Sequence, residues 1–194
     1  MKKAARILST LFVPPSFTII WFTWYAIFHE SDFIKQSVTI ATALIFGFAL
    51  HIVSFFYFRK EGLIADIDAS IKEERTFPYI TSTLFYICGF AVLIYFEVDI
   101  ISSAFWFCYI TNTLLITVIN KHWKISAHSM GAAGPLAALS FIAGFYSLLF
   151  LPLLFLIGTA RVILKCHTIS QVIAGMLFGF ISTYLQMWIY ILFS

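Results

Sequence analysis

Residues 129–164 read SMGAAGPLAALSFIAGFYSLLFLPLLFLIGTARVIL, an apolar run broken by one charge, Arg161. As a straight helix this run would extend about 54 Å, against roughly 30 Å for the hydrocarbon core of a bilayer. It therefore demands a hairpin, with the turn expected at Gly144–Ser147. The rest of the chain agrees that the solvent is lipid. Of 194 residues 61% are hydrophobic, with 23 Phe, 9 Tyr and 5 Trp, and only 11% are charged. A typical soluble domain is about 25% charged. Most residues of a small soluble domain still touch water, so so apolar a chain is not an ordinary cytosolic enzyme. A disordered protein and a nucleic-acid binder are excluded on the same grounds.

Working outward, apolar stretches fall at 7–28, 37–58, 78–96, 100–119, 129–145, 148–164 and 171–193. The expectation is an all-α, polytopic bundle of six to seven transmembrane helices, one membrane domain over 1–194. The first stretch does not read as a removable signal peptide: it is long, contains Pro14–Pro15 and lacks a small-residue cleavage pattern. Cys88, Cys108 and Cys166 have no paired or metal-ligand spacing and read as small core residues.

Alternating the sides of successive passes sorts the charges. One face collects Lys2, Lys3, Arg6, Arg59, Lys60, Lys72, Arg75, Lys121, Lys124, Arg161 and Lys165. The other has Lys35 with Glu30, Asp32, Glu97 and Asp99. The positive-inside rule makes the basic face cytoplasmic. If Pro14–Pro15 dipped into the bilayer and returned, the parity would flip. The basic face also holds His122, His128 and His167, with His128 and Arg161 at the edges of apolar runs. Ionisable groups are costly there unless they line a polar cavity. A cluster of cations and imidazoles at the headgroup level suits an anion, and phosphate is the common one.

Three segments carry the candidate chemistry. In Thr159–Gln171, Arg161 stands six residues before His167, and Gln171 four after it. On a helix starting near His167, the i, i+4 spacing lets the Gln171 carbonyl hold one ring nitrogen and free the other. A free imidazole beside an Arg can attack phosphorus while the guanidinium neutralises phosphoryl oxygens. In Asn120–Gly131, Ser126-Ala127-His128 puts a hydroxyl and a second imidazole at the mouth of the fifth pass. The small residues from Gly131 to Ala138 behind it favour close helix packing. In Asp66–Pro78, Lys72 and Arg75 are i, i+3 and can face one anion. The competing readings are a basic surface loop with an incidental His for Thr159–Gln171, helix packing alone for Gly131–Ala138, and a solvated charged loop for Asp66–Pro78.

Ser-Ala-His followed by Ala-Arg-x5-His-x3-Gln resembles two signatures of the type 2 phosphatidic acid phosphatase superfamily, usually Pro-Ser-Gly-His and Ser-Arg-x5-His-x3-Asp. That superfamily comprises membrane lipid phosphatases and soluble vanadium haloperoxidases on a shared helical core. The resemblance covers the second half of the chain, and its most specific part is the Arg-x5-His spacing. It implies His167 as nucleophile forming a phosphohistidine, His128 as general acid and Arg161 as phosphate ligand. It also implies a phosphate cradle from Ser126 and the backbone near Ala127, and a multi-pass protein of a bacterial inner membrane. Family members often face their site away from the cytoplasm, whereas the charges here favour the cytoplasmic side. The family's first signature, Lys-x6-Arg-Pro, is altered: Asp68 stands seven residues before Arg75, and the lysine is at Lys72. Ala160 replaces a serine and Gln171 an aspartate, so Gln171 can orient His167 without adding charge. Lys121 or Lys124 can supply compensating charge.

The expected function is a metal-independent, cofactor-free hydrolase acting on a lipid phosphomonoester or diphosphate. Phosphatidic acid, phosphatidylglycerophosphate, an isoprenoid diphosphate and a phosphorylated glycolipid all fit as substrate, and no nucleic acid is implied. The alternative is a catalytically weak or inactive lipid-phosphate-binding protein of the same family. A transporter is the weaker third reading, since no apolar segment has a mid-membrane acid.

Overall fold

The computed structural model describes residues 1–194 and is helical, with a longer connection over 61–72 that leads into a 3-10 turn, Glu73–Arg75. Its helices are α1 (Lys2–Leu11), α2 (Pro14–His29), α3 (Phe33–Thr42), α4 (Leu50–Lys60), α5 (Thr76–Tyr95), α6 (Ile100–His122), α7 (Ala127–Ala143), α8 (Leu151–Ile163) and α9 (Ile169–Leu192). A π-helical turn, Ala43–Ala49, joins α3 and α4 into one rod, Phe33–Lys60. Five helical stretches are long and apolar enough to cross a bilayer, and α1 with α2 make a sixth if taken together. The seven stretches of the sequence reduce to this number because Ala127–Ile163 is continuous in helix and counts once.

That stretch nevertheless folds back on itself. Gly144 takes a positive φ of 53° at the end of α7, and a 3-10 segment, Gly144–Phe150, leads into α8. Both legs meet α9 near its start: a Cβ on Gly158 would lie 2.6 Å from Val172, and one on Gly175 would lie 2.6 Å from the Ser126 carbonyl oxygen. A straight helix would separate residues 126 and 158 by about 48 Å. The expected turn is therefore present at the expected glycine.

The stretch 7–28, by contrast, is not one helix. Pro14 and Pro15 occupy the first turn of α2, where a missing N–H costs nothing, and extended Val13 precedes them. The axes of α1 and α2 differ by 53°. The α2 carboxyl end reaches the acidic end of the bundle, where Tyr25 donates to Asp99 at 2.5 Å and the Asp99 N–H to Glu30 at 3.3 Å. Pro14–His29 thus runs from beside Gly131, near the basic end of the bundle, to its acidic end. Helix α1 stays at the basic end, its Arg6 bonded to Asp68 and its Ser9 to Arg161.

Helices α7 and α9 run parallel in close contact. Gly175, Gly179 and Thr183 of α9 meet Ser126, Met130 and Gly134 in step, and a Cβ on Gly179 would come within 2.6 Å of the Met130 carbonyl oxygen. Small residues allow this approach, as the run from Gly131 to Ala138 suggested. Lower down, Asn112 of α6 donates to Thr183 and accepts from Ser182 and Gln186 of α9, a polar clamp inside an apolar bundle. Parallel packing has one consequence for chemistry: the amino ends of α7 and α9 lie side by side.

Candidate functional site

Each residue of the site owes its place to a helix end. The Arg-x5-His spacing folds into the carboxyl cap of α8. Lys165 takes a left-handed φ of 59°, and the Arg161 carbonyl accepts from the Cys166 N–H at 3.0 Å and the His167 N–H at 3.3 Å. This brings His167 back beside the helix that holds Arg161. Thr168 then caps α9, its hydroxyl accepting from the Gln171 N–H at 3.3 Å, while Gln171 Oε1 accepts from the Thr168 N–H at 3.1 Å.

The same Oε1 lies 3.2 Å from His167 Nδ1. An amide oxygen only accepts, so Nδ1 carries the proton and Nε2 keeps its lone pair. Gln171 Oε1 is thus placed to hold that tautomer, and it also closes the cap of α9. His167 is buried, and its pKa falls to about 3 through desolvation first, then the charges of Arg75, Arg161 and Lys124. The imidazole is neutral across the physiological range. In a 15N-histidine titration of the detergent-solubilised protein, the ring signals missing from His167→Gln should keep their neutral shifts down to about pH 4. A midpoint near 6.5 would indicate an ordinary hydrated ring.

His128, one residue into α7, is partly buried and lies within electrostatic range of Arg161, His167 and Asp68. Arg75 is buried and tied down by backbone oxygens, its Nε donating to Ala69 at 2.7 Å and its Nη1 to Ile125 at 3.3 Å. Lys124 donates to the Cys166 carbonyl at 2.7 Å; burial, then the charge of Arg75, lower its pKa. His128, Arg161, His167, Gln171, Arg75 and Lys124 are thus gathered at one end of the bundle.

Two expected phosphate ligands have other work. Lys72 donates to the Lys121 carbonyl at 2.9 Å and lies 3.7 Å from Glu73, so it closes the end of α6. The i, i+3 spacing set Lys72 beside Arg75 but not its side-chain direction. Ser126 is fully buried as the N-cap of α7, accepting from the Ser129 N–H at 3.3 Å and its hydroxyl at 2.9 Å. Ala127 follows in the first helical turn, its backbone beside the Ser126 cap.

The residue that sequence reasoning passed over is Asp68. It appeared only as a departure from a lysine, yet its carboxylate bridges two cations. One oxygen accepts from Arg161 Nη1 at 2.7 Å and the other from Arg6 Nη1 at 2.7 Å. Burial raises its pKa, but the bonds from Arg6 and Arg161 outweigh it and bring the value to about 2. Arg161 is 0% exposed, its Nη1 also donates to Ser9 at 2.6 Å, and its Nε and Nη2 have no protein partner. The sequence offered little signal, because Asp68 is one of five acids between Glu61 and Glu74 and its partner Arg161 lies 93 residues away. Comparison with protein-family models, with curated proteins and with solved structures gives no match.

Proposed function

We propose that the chain is a membrane-embedded phosphatase of lipid phosphates, working through a phosphohistidine on His167. The observation that carries this reading is the neutral, buried His167, its Nδ1 held by Gln171, beside a fully buried Arg161 with two unpartnered nitrogens. His167 Nε2 attacks phosphorus as the bond from phosphorus to the lipid oxygen breaks. A proton from His128 goes to the departing alkoxide, and neutral His128 then takes a proton from the water that cleaves the phosphohistidine. Arg161 Nε and Nη2 are the free donors for phosphoryl oxygens, with Arg75 and Lys124 adding positive charge. The excess of basic residues at this end favours a cytoplasmic site.

The test is phosphate release from a panel of lipid phosphates in detergent with EDTA present. Turnover that survives EDTA is expected. No release from any member, or loss of release with EDTA, would overturn the reading.

A second reading, lipid-phosphate binding without turnover, is favoured by the Asp68 carboxylate on Arg161 and the uncharged Gln171. Thermal protection by phosphate or vanadate, together with no hydrolysis, would select it.

A further inference from the structure

Helix α1 divides cleanly. With successive residues about 100° apart around the axis, Lys2, Lys3, Arg6, Ser9 and Thr10 fill one half of its circumference. Ala4, Ala5, Ile7, Leu8 and Leu11 fill the other. The two residues that α1 buries, Ala5 and Ser9, flank a boundary between these halves. The helix therefore packs on the bundle sideways to its own amphipathic axis. A helix that answered only to a protein core would turn its apolar half inward. Here Ile7 and Leu11 remain 53% and 62% exposed, and Lys2 and Lys3 are exposed on the opposite edge.

That orientation fits a helix lying in a membrane interface beside the bundle. One edge enters the acyl boundary, the other meets the headgroups, and the boundary between them faces protein. The charges name the headgroup. Three cations, Lys2, Lys3 and Arg6, stand on α1 with no acid among its ten residues, so its polar edge complements an anionic leaflet. Helix α1 also needs such support. Ten residues are too few for a stable helix in water. Pro14 and Pro15 have no N–H, so no helical hydrogen bond carries order from α2 across the 53° bend. Unfolded, the same residues would have no separate edges, so a leaflet binds the folded helix better.

The protein-facing side of α1 ends on the candidate site. Arg6 Nη1 donates to Asp68 at 2.7 Å, and Ser9 accepts from Arg161 Nη1 at 2.6 Å. With α1 seated, Arg161 is 0% exposed. Whatever steadies α1 therefore steadies the Arg6–Asp68–Arg161 chain.

We propose that α1 is an interfacial helix whose Lys2–Lys3 edge binds an anionic lipid leaflet, with Ile7 and Leu11 immersed, and that this binding seats Arg6 on Asp68 and Ser9 on Arg161. The phosphatase reading is not needed for it, since seating is a matter of structure and not of turnover.

The test places the whole chain in nanodiscs of dioleoylphosphatidylcholine and in nanodiscs of dioleoylphosphatidylglycerol. Hydrogen exchange of the α1 amides should be at least about fivefold slower in the anionic lipid, the low end for two coupled sites. The gap should close near 1 M salt, where the screening length falls to about 3 Å. Labelling of Arg161 by phenylglyoxal, a neutral reagent, should slow by a similar factor, with exposed Arg59 as the reference. The double variant Lys2→Gln, Lys3→Gln should exchange alike in both lipids. Lys60→Gln, which removes an exposed cation at the end of α4, should keep the wild-type difference. Equal exchange of the wild type in the two lipids overturns the proposal, and so does a difference that Lys60→Gln removes as fully as the α1 pair. Faster labelling of Arg161 in the anionic lipid would show the leaflet drawing α1 off the site, the reverse of what is proposed. Soluble polyglutamate that slows exchange in phosphatidylcholine as much as the anionic lipid does would make an acidic chain the partner and overturn the leaflet.

Discussion

Single-turnover phosphoenzyme formation should vanish in His167→Ala and accelerate in Gln171→Glu. Gln171 Oε1 serves two donors, the Thr168 N–H at 3.1 Å and His167 Nδ1 at 3.2 Å. It holds the ring but offers no negative charge to the imidazolium that the proposed attack by Nε2 would form. Glutamate keeps the reach and adds the charge, and an anion is also welcome in the first turn of α9. Aspartate, one methylene shorter, should gain less here even though the family resemblance points to it. In a serine-protease triad the opposite change, carboxylate to amide, costs about 10⁴ in rate, which sets the upper scale of the gain. Gln171→Leu should slow the step and weaken the α9 cap by about 1 kcal/mol. Equal rates in wild type, Gln171→Glu and Gln171→Leu would show that residue 171 does not govern the nucleophile. A phosphoenzyme persisting without His167 would show that another residue is the nucleophile.

What the sequence revealed, and what it hid, follows from the range of each interaction. The apolar runs and Gly144 act locally, so the helices and the reversal after α7 were legible. The neighbouring positions of Arg161, His167 and Gln171 were legible too, because a helix cap and one helical turn set them. Pro14–Pro15 announced a break but not its form; a 53° bend depends on what α1 finds to pack against. The direction of Lys72 was decided by the exposed Lys121 carbonyl at the end of α6. Asp68 is the clearest case. Its partners lie 62 and 93 residues away, and no spacing rule connects them.

Asp68→Asn should destabilise the protein, and a tetrahedral anion should rescue it. Arg161 is 0% exposed, and Asp68 supplies the carboxylate facing it. Removing one member of a buried pair leaves an uncompensated charge, typically a loss of about 3–5 kcal/mol. The Ser9 hydroxyl at 2.6 Å and the new amide oxygen compensate only in part, because neither carries charge. The wild-type pair should also have a pH signature. The folded pKa of Asp68, about 2, lies below its ordinary 3.8, so its contribution is complete above about pH 4. It is lost as pH falls from 4 toward 2, and the Asn variant should lack that limb. The rescue bears on function. A phosphate on the free Nε and Nη2 of Arg161 must share the guanidinium with the Asp68 carboxylate. Like charges so placed oppose each other, with a coupling of about 1–3 kcal/mol, or 5- to 150-fold in affinity. Phosphate or vanadate should therefore raise the melting temperature of Asp68→Asn at concentrations that leave wild type unchanged. The companion variant Asp68→Glu, which keeps the charge, should behave as wild type toward anions even if its packing suffers. Destabilisation without rescue by either anion would mean that Asp68 only neutralises Arg161 and that phosphate does not bind beside it.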